Sequence, residues 1–138
     1  MVREIIKAPG ILTKKSEPFI FGQDDHIIQD MLDTAKSHKE NCAGLAAIQI
    51  GVAKRVILVR NGDKFIPFIN PAIIRYSPGT YCTKEGCLSL DGQHNVKRHY
   101  TILVSYTTKN GKNMVRQFAG RIAQIIQHEV DHLNGVLI

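Results

Sequence analysis

The segment from Gly120 to Leu133 constrains the fold most, because it carries two separate stripes of side chains at helical spacing. One stripe is apolar, as on a helix surface that faces a core, and consists of Ile122, Ile126, Val130 and Leu133. The other stripe carries imidazoles and consists of Arg121, Ile125, His128 and His132. We expect a helix with these two faces to lie at the centre of the molecule, with the rest of the chain packed around it.

Strand patterns dominate the chain before this helix. Two pairs of strand-like segments are each joined by Asn-Gly, which accepts the positive φ angles of a tight hairpin turn: residues 56–59 with 65–69, and residues 101–107 with 114–118. A further amphipathic helix is predicted over residues 25–38. The sequence therefore predicts an α+β fold in which mostly antiparallel β-sheets wrap around a central metal-binding helix.

Composition narrows the class of protein. The chain has 138 residues, of which 43% are hydrophobic and 22% charged, as in globular domains. We expect residues 1–138 to form a single domain. No apolar run reaches the roughly 18–20 residues that a membrane helix needs, and the first residues lack the apolar stretch of a secretion signal. A cytoplasmic protein without a membrane partner is therefore expected.

Charge is distributed unevenly. The formal net charge is +6, and no acidic residue occurs from residue 92 to residue 128. Such a basic region could approach a ribosome or an anionic substrate. No nucleic-acid-binding motif is present, so we expect no specific nucleic-acid partner.

The second stripe of the predicted helix suggests metal chemistry. His128 and His132 are four residues apart, so both imidazoles can reach one metal ion. Glu129 lies about 100° further round, where it can reach a water on the metal rather than the metal itself. Cys87 is the leading candidate for a third ligand. Two histidines and one cysteine leave the fourth position of a tetrahedron open, as catalytic sites require.

A closed structural zinc site is the alternative. Cys82 and Cys87, followed by His128 and His132, also match the spacing of a Cys2His2 zinc domain without catalytic activity. In that interpretation Cys82 is essential and Glu129 has no function. Spacing alone does not separate the two interpretations.

A third motif, rich in small residues, favours the enzyme. Together the three motifs resemble, in order and approximate separation, those of the peptide deformylase family. They are Cys42-Ala43-Gly44-Leu45-Ala46-Ala47-Ile48-Gln49, Glu85-Gly86-Cys87-Leu88-Ser89 and Gln127-His128-Glu129-Val130-Asp131-His132-Leu133.

The resemblance implies a reaction and its cofactor. It implies a metal-dependent hydrolase that removes the N-formyl group from the N-terminal formyl-methionine of nascent polypeptides and releases formate. By this resemblance the metal ligands are Cys87, His128 and His132, and the ion is Fe2+, which Zn2+, Ni2+ or Co2+ can replace. Glu129 is then the general base. The oxyanion donors are then Gln49 and the backbone N–H of Leu88.

The resemblance also implies a substrate groove. Backbone groups of Ala43 and Gly44 would pair with an extended peptide, and Ile125 would lie in the methionine pocket. The remaining candidate substrate-binding residues are Gly86 and Arg98. The chain departs from the family pattern at Cys42, Asp91, Arg121 and Gln124.

The end of the chain also differs from many members of the family. The sequence ends shortly after the predicted ligand helix, so we expect a short form without the C-terminal helix extension that some members use at the ribosome. The basic region of residues 92–128 then becomes the candidate for ribosome proximity.

Overall fold

The computed structural model describes residues 1–138 and contains two α-helices, seven β-strands and two 3-10 helices. The α-helices are α1 (Asp25–Ser37) and α2 (Gly120–Leu133). The strands are β1 (Gly44–Ala46), β2 (Val56–Asn61), β3 (Lys64–Tyr76), β4 (Thr80–Cys87), β5 (Leu90–His99), β6 (Thr101–Thr107) and β7 (Asn113–Ala119). The 3-10 helices are Gly10–Thr13 and Ala47–Ile50. Neither α-helix is long and apolar enough to cross a membrane.

The strands form two antiparallel sheets. The larger sheet has the order β1-β2-β3-β6-β7, and the smaller sheet is the β4-β5 hairpin. These sheets confirm the predicted α+β fold and both predicted Asn-Gly hairpins. Helix α2 begins and ends at the predicted residues, and α1 ends one residue before the predicted boundary.

Strand β2 lies between the two halves of the hydrophobic core. Ile57 and Val59 point to the cluster that contains the apolar residues of α2, whereas Val56 and Leu58 point to the cluster that contains those of α1. Alternation along a strand sends neighbouring side chains to opposite faces, so an apolar run without alternation is buried on both faces. The large sheet therefore carries α2 on one face and α1 on the other.

The β4-β5 hairpin is the part of the fold that the sequence patterns did not predict. Glu85 of β4 is buried and Tyr81, Thr83 and Cys87 are half-buried, whereas Cys82, Lys84 and Gly86 are exposed. The inward-facing residues of β4 are thus mostly polar, because this strand faces the polar side of α2. A strand that covers a polar site lacks the apolar alternation by which half-buried strands are recognised.

Candidate active site

Helix α2 brings the two predicted histidine ligands together. His128 and His132 are buried, and their Nε2 atoms lie 3.2 Å apart. The rings meet edge to face, at an interplanar angle of 74°. Burial and, to a smaller extent, the charge of the neighbouring His128 together lower the pKa of His132 to about 3. His132 is therefore a neutral imidazole, the form that binds a metal ion.

Cys87 supplies the third donor from the end of β4. The register of the β4-β5 pair shifts between Gly86 and Cys87, and the thiol of Cys87 lies against α2. Its Sγ is 3.4 Å from His132 Nε2, and the three donor atoms all lie within 4.8 Å of one another. Bonds of about 2.0–2.1 Å to nitrogen and 2.3 Å to sulfur place the donors of a tetrahedral site roughly 3.3–3.6 Å apart. The cluster therefore fits one metal ion.

Cys82 does not join this cluster. Its side chain is on the exposed face of β4, and the group of donors contains only Cys87, His128 and His132. Because side chains alternate along a strand, residues 82 and 87 point to opposite faces of the hairpin. The closed Cys2His2 alternative is therefore wrong, and the fourth coordination position has no protein ligand.

Glu85 orients His128 through the ring nitrogen that faces away from the donor cluster. Its Oε1 accepts a hydrogen bond from His128 Nδ1 at 2.7 Å, which leaves Nε2 free to face the cluster. Arg98 holds both oxygens of the same carboxylate, at 2.7 Å and 3.0 Å, and Gln124 donates to Oε2 at 2.9 Å. Burial opposes ionisation of Glu85, but these bonds outweigh it and lower its pKa to about 2. His132 has no equivalent partner at Nδ1.

Arg98 requires a correction. The resemblance to the family predicts Arg98 at the substrate groove. Its side chain is only 6% exposed, however, and is paired with Glu85 and Asp131. The positive charge of its guanidinium stabilises the buried, ionised carboxylate of Glu85. Arg98 therefore supports Glu85, the partner of His128, and it is not among the residues that line the cavity. The role of Glu85 was missed, although its place two residues before Cys87 was visible in the sequence.

Replacing Glu85 with glutamine is expected to weaken metal binding about 10- to 100-fold, as loss of such an outer-shell carboxylate typically does. The substitution leaves Arg98 without its bidentate partner and removes the charge that holds His128 Nδ1. Competition with a chelator measures the metal affinity, and a merely structural role would not change it in folded protein. An unchanged affinity in a variant with wild-type circular dichroism would contradict the positioning role.

Glu129 lies beside the three donor residues and is buried. It is 4% exposed, and its Oε1 makes no hydrogen bond. Burial raises its pKa to about 7, although the charge of His128 opposes this shift. Strand β1 approaches it closely at Gly44, where an added Cβ would come within 2.8 Å of both Glu129 Oε2 and Ile125 Cγ2. Only glycine at position 44 allows this approach.

Gln49 and Leu88 line the same cavity as Cys87, His128 and Glu129. Gln49 Oε1 accepts the backbone N–H of Ala46 at 2.9 Å, which fixes the orientation of the amide. Its Nε2 then lies 3.3 Å from Cys87 Sγ and 3.2 Å from Ser89 Oγ. The backbone N–H of Leu88 donates to no protein acceptor. The Gln49 amide thus contacts the cluster, and Leu88 follows Cys87 directly in the chain.

A cavity of about 620 Å³ opens onto these residues. Four of the five predicted substrate-binding residues line it, namely Ala43, Gly44, Gly86 and Ile125. The carbonyl of Ala43 accepts the N–H of Arg60, so residue 43 is hydrogen-bonded to β2. The next residue, Gly44, consequently directs its N–H and C=O away from β2, towards the outer edge of the sheet.

Cys42 stands beside this edge. Burial raises the pKa of its thiol to about 12, so the group is protonated at neutral pH. Its Sγ lies 3.2 Å from the carbonyl oxygen of Gly44 and donates to it. The thiol therefore packs within the protein next to the groove.

The site combines three converging donors, a buried carboxylate and two N–H donors. Three donors leave one coordination position of a tetrahedral ion without a protein ligand, and this combination is typical of a metal-dependent hydrolase. A family model described as polypeptide deformylase matches residues 2–138. The chain is 41% identical to a peptide deformylase of Clostridium beijerinckii, over the full length of both proteins. The chain belongs to the peptide deformylase family.

Solved structures agree with this assignment. A peptide deformylase of Thermotoga maritima is similar with a TM-score of 0.90 and 30% identity, over 99% of this chain and 95% of that one. A class I type b peptide deformylase of Acinetobacter baumannii with actinonin bound has a TM-score of 0.88 and 32% identity, over 99% of this chain and 94% of that one. The same enzyme with Met-Ala-Ser bound has a TM-score of 0.89 and 31% identity, over 99% of this chain and 97% of that one. The chain is therefore an enzyme with deformylase activity, as the motifs predicted.

Proposed function

We propose that the deformylase reaction of this chain takes place at the cluster of Cys87, His128 and His132, with one divalent metal ion held by these three residues. The observation that carries the proposal is the convergence of their donor atoms next to the buried carboxylate of Glu129. The substrate is the formyl-methionine end of a nascent polypeptide. The reaction then takes place in the cytoplasm, where such chains emerge.

We further propose Fe2+ as the resident ion, with Zn2+, Ni2+ or Co2+ as substitutes. Imidazole and thiolate together suit these ions better than Mg2+ or Ca2+, which prefer oxygen ligands. When bound, the ion supplies Lewis-acid polarisation and lowers the pKa of water towards about 7. The N–H of Ser89, 3.3 Å from Cys87 Sγ, stabilises the thiolate that this chemistry needs.

Glu129 moves the proton in this proposal. It takes a proton from the attacking water and later passes it to the departing amine, so that the C–N bond breaks and formate and a free amino terminus result. Burial raises the pKa of this carboxyl above its ordinary value, which favours acceptance of the proton in the first step, and the carboxylic acid so formed returns it in the second. The absence of a hydrogen bond to Oε1 leaves that oxygen available for the water.

Gln49 and Leu88 stabilise the charge that develops on the formyl oxygen. The Ala46 N–H holds the Gln49 amide in position before the substrate arrives. Nε2 then exchanges one of its two contacts, with Cys87 Sγ or with Ser89 Oγ, for the formyl oxygen. The N–H of Leu88 lies in the loop directly after Cys87 and is the second donor. One such donor typically contributes about 3–4 kcal/mol to barrier lowering.

The backbone of Gly44 and the side chain of Ile125 select the substrate. An extended peptide adds to the outer edge of β1 through the N–H and C=O of Gly44. A formyl carbon carries only hydrogen, so a tight centre admits it and excludes a carbonyl with a larger substituent. The basic residues exposed between positions 92 and 128 support proximity to the ribosome: Lys97, Lys109, Lys112, Arg116 and Arg121.

Formate release from formyl-Met-Ala-Ser tests this function. Protein loaded anaerobically with Fe2+ is expected to release one formate per peptide, and acetyl-Met-Ala-Ser is expected to release no acetate. Anaerobic loading protects the thiolate of Cys87 from oxidation. The proposal fails if protein with one bound ion per chain releases no formate, or if it hydrolyses both peptides equally.

A further inference from the structure

The mouth of the active-site cavity carries an excess of positive charge. Lys7, Lys84 and Arg121 line it from three separate segments, which are the N-terminal stretch, β4 and the first turn of α2. None of the three forms an ion pair with an acidic side chain. Lys7 donates to the backbone carbonyl of Leu88 at 2.7 Å, a contact that leaves its charge uncompensated.

The acidic residues of the same cavity do not offset this charge. Glu85 is held on both oxygens by Arg98, and Glu129 is buried at the floor of the cavity. Asp91 is therefore the single exposed acid among the residues that line it. An anion that enters the mouth meets three cations and one carboxylate.

Arg121 lies where the active-site cavity adjoins a second cavity. It lines both the active-site cavity and a second cavity of about 570 Å³, which continues along residues 40–43. These residues directly precede Gly44, the residue whose backbone faces the groove. A peptide that pairs with Gly44 in an extended form runs alongside this segment, so the residues after its methionine pass Arg121. Glu40 and Arg60 also line the second cavity, and their charges balance each other.

We propose that this cationic mouth makes the enzyme select formyl-methionyl peptides that carry acidic side chains at the two positions after the methionine. The proposal rests on the function proposed above and adds a substrate class to it. Arg121 is the principal selecting residue, and Lys84 adds to the same field. Partly exposed charge pairs of this kind typically change a rate about two- to fivefold for each carboxylate.

Three peptide amides test the preference, namely formyl-Met-Asp-Asp-amide, formyl-Met-Ala-Ser-amide and formyl-Met-Lys-Lys-amide. The amide removes the terminal carboxylate, so any preference reports the side chains. We expect kcat/KM to fall in that order. The spread should shrink when the ionic strength rises from about 0.02 M to about 0.5 M, because salt screens exposed charges. Equal kcat/KM for all three peptides at low salt would overturn the proposal.

Matched charge variants identify the residues responsible. Arg121→Gln and Lys84→Gln are each expected to lower the ratio of kcat/KM between the Asp-Asp and Lys-Lys peptides by about two- to fivefold. Lys109→Gln removes the same charge from the turn between β6 and β7 and should leave the ratio unchanged. A ratio that persists in the Arg121→Gln/Lys84→Gln double variant, or that falls equally in Lys109→Gln, would overturn the assignment to the mouth.

Binding separates this proposal from the proposed function. Calorimetry with the metal-loaded Glu129→Gln variant measures the affinity for the deformylated products Met-Asp-Asp-amide and Met-Lys-Lys-amide. Tighter binding of the acidic product supports a selecting mouth even without turnover, and equal binding contradicts it. Failure to release formate from any of the three peptides would instead contradict the proposed function.

Discussion

The Glu129→Gln variant is expected to lose about 10²- to 10⁴-fold in kcat for formyl-Met-Ala-Ser, the usual contribution of a positioned general base. The amide has nearly the size of the carboxylate but cannot accept the proton of the attacking water. Its metal content should stay at that of the wild type, because Glu129 is not among the converging donors. Formate release and metal analysis on the same sample measure both quantities.

The fold should tolerate this substitution. Glu129 is buried with one oxygen unpartnered, so the amide gives up no hydrogen bond at that atom. Glu17→Gln is the matched control, since it makes the same change at an exposed residue outside the cavity, and it should keep full activity. The assignment of the base is refuted if Glu129→Gln retains more than about a tenth of the wild-type kcat. Loss of a general base is expected to lower kcat by a much larger factor.

The second large effect is expected at Cys87. Cys87→Ala removes one of three donors, and the remaining two imidazoles cannot hold an ion against a chelator. We expect the metal content to fall to less than about a tenth of an ion per chain and activity to fall with it. Metal analysis after dialysis against a weak chelator, followed by the formate assay, measures both losses.

Cys82→Ser is the control for that experiment. It makes a comparable change on the same strand, but its side chain is exposed and lies outside the donor cluster. The variant should keep its metal, its activity and its melting temperature. Loss of metal from Cys82→Ser would restore the closed structural zinc site as the correct description.

The sequence predicted the elements whose side chains follow one regular period along the chain. Helix α2 was found with its boundaries because its apolar stripe and its imidazole stripe both follow the helical period. The two Asn-Gly hairpins were found because their strands have an apolar side that faces the core. The spacing of His128 and His132 predicted two of the metal donors, and the resemblance to the family selected Cys87 as the third.

The elements that were missed combine structural and chemical roles. Strand β4 points Thr83 and Glu85 inward, so it shows no apolar alternation. Arg98 was predicted as a substrate residue because it matches an arginine near the substrate groove of the family that the chain resembles. Its partner Glu85 lies 13 positions earlier in the chain, and only the pairing of β4 with β5 brings them together. Such a partnership depends on strand register, which a single sequence does not display.

The two ends of helix α2 differ in how freely they can change. His128 and Glu129 face Cys87 and Gly44, with no space for another side chain at position 44. Arg121 is two turns earlier, roughly 10 Å along the axis, and is exposed and without an ionic partner. Under the proposed selection by Arg121, substrate choice can be changed at the first turn of the helix while the reaction chemistry at the last turns stays intact.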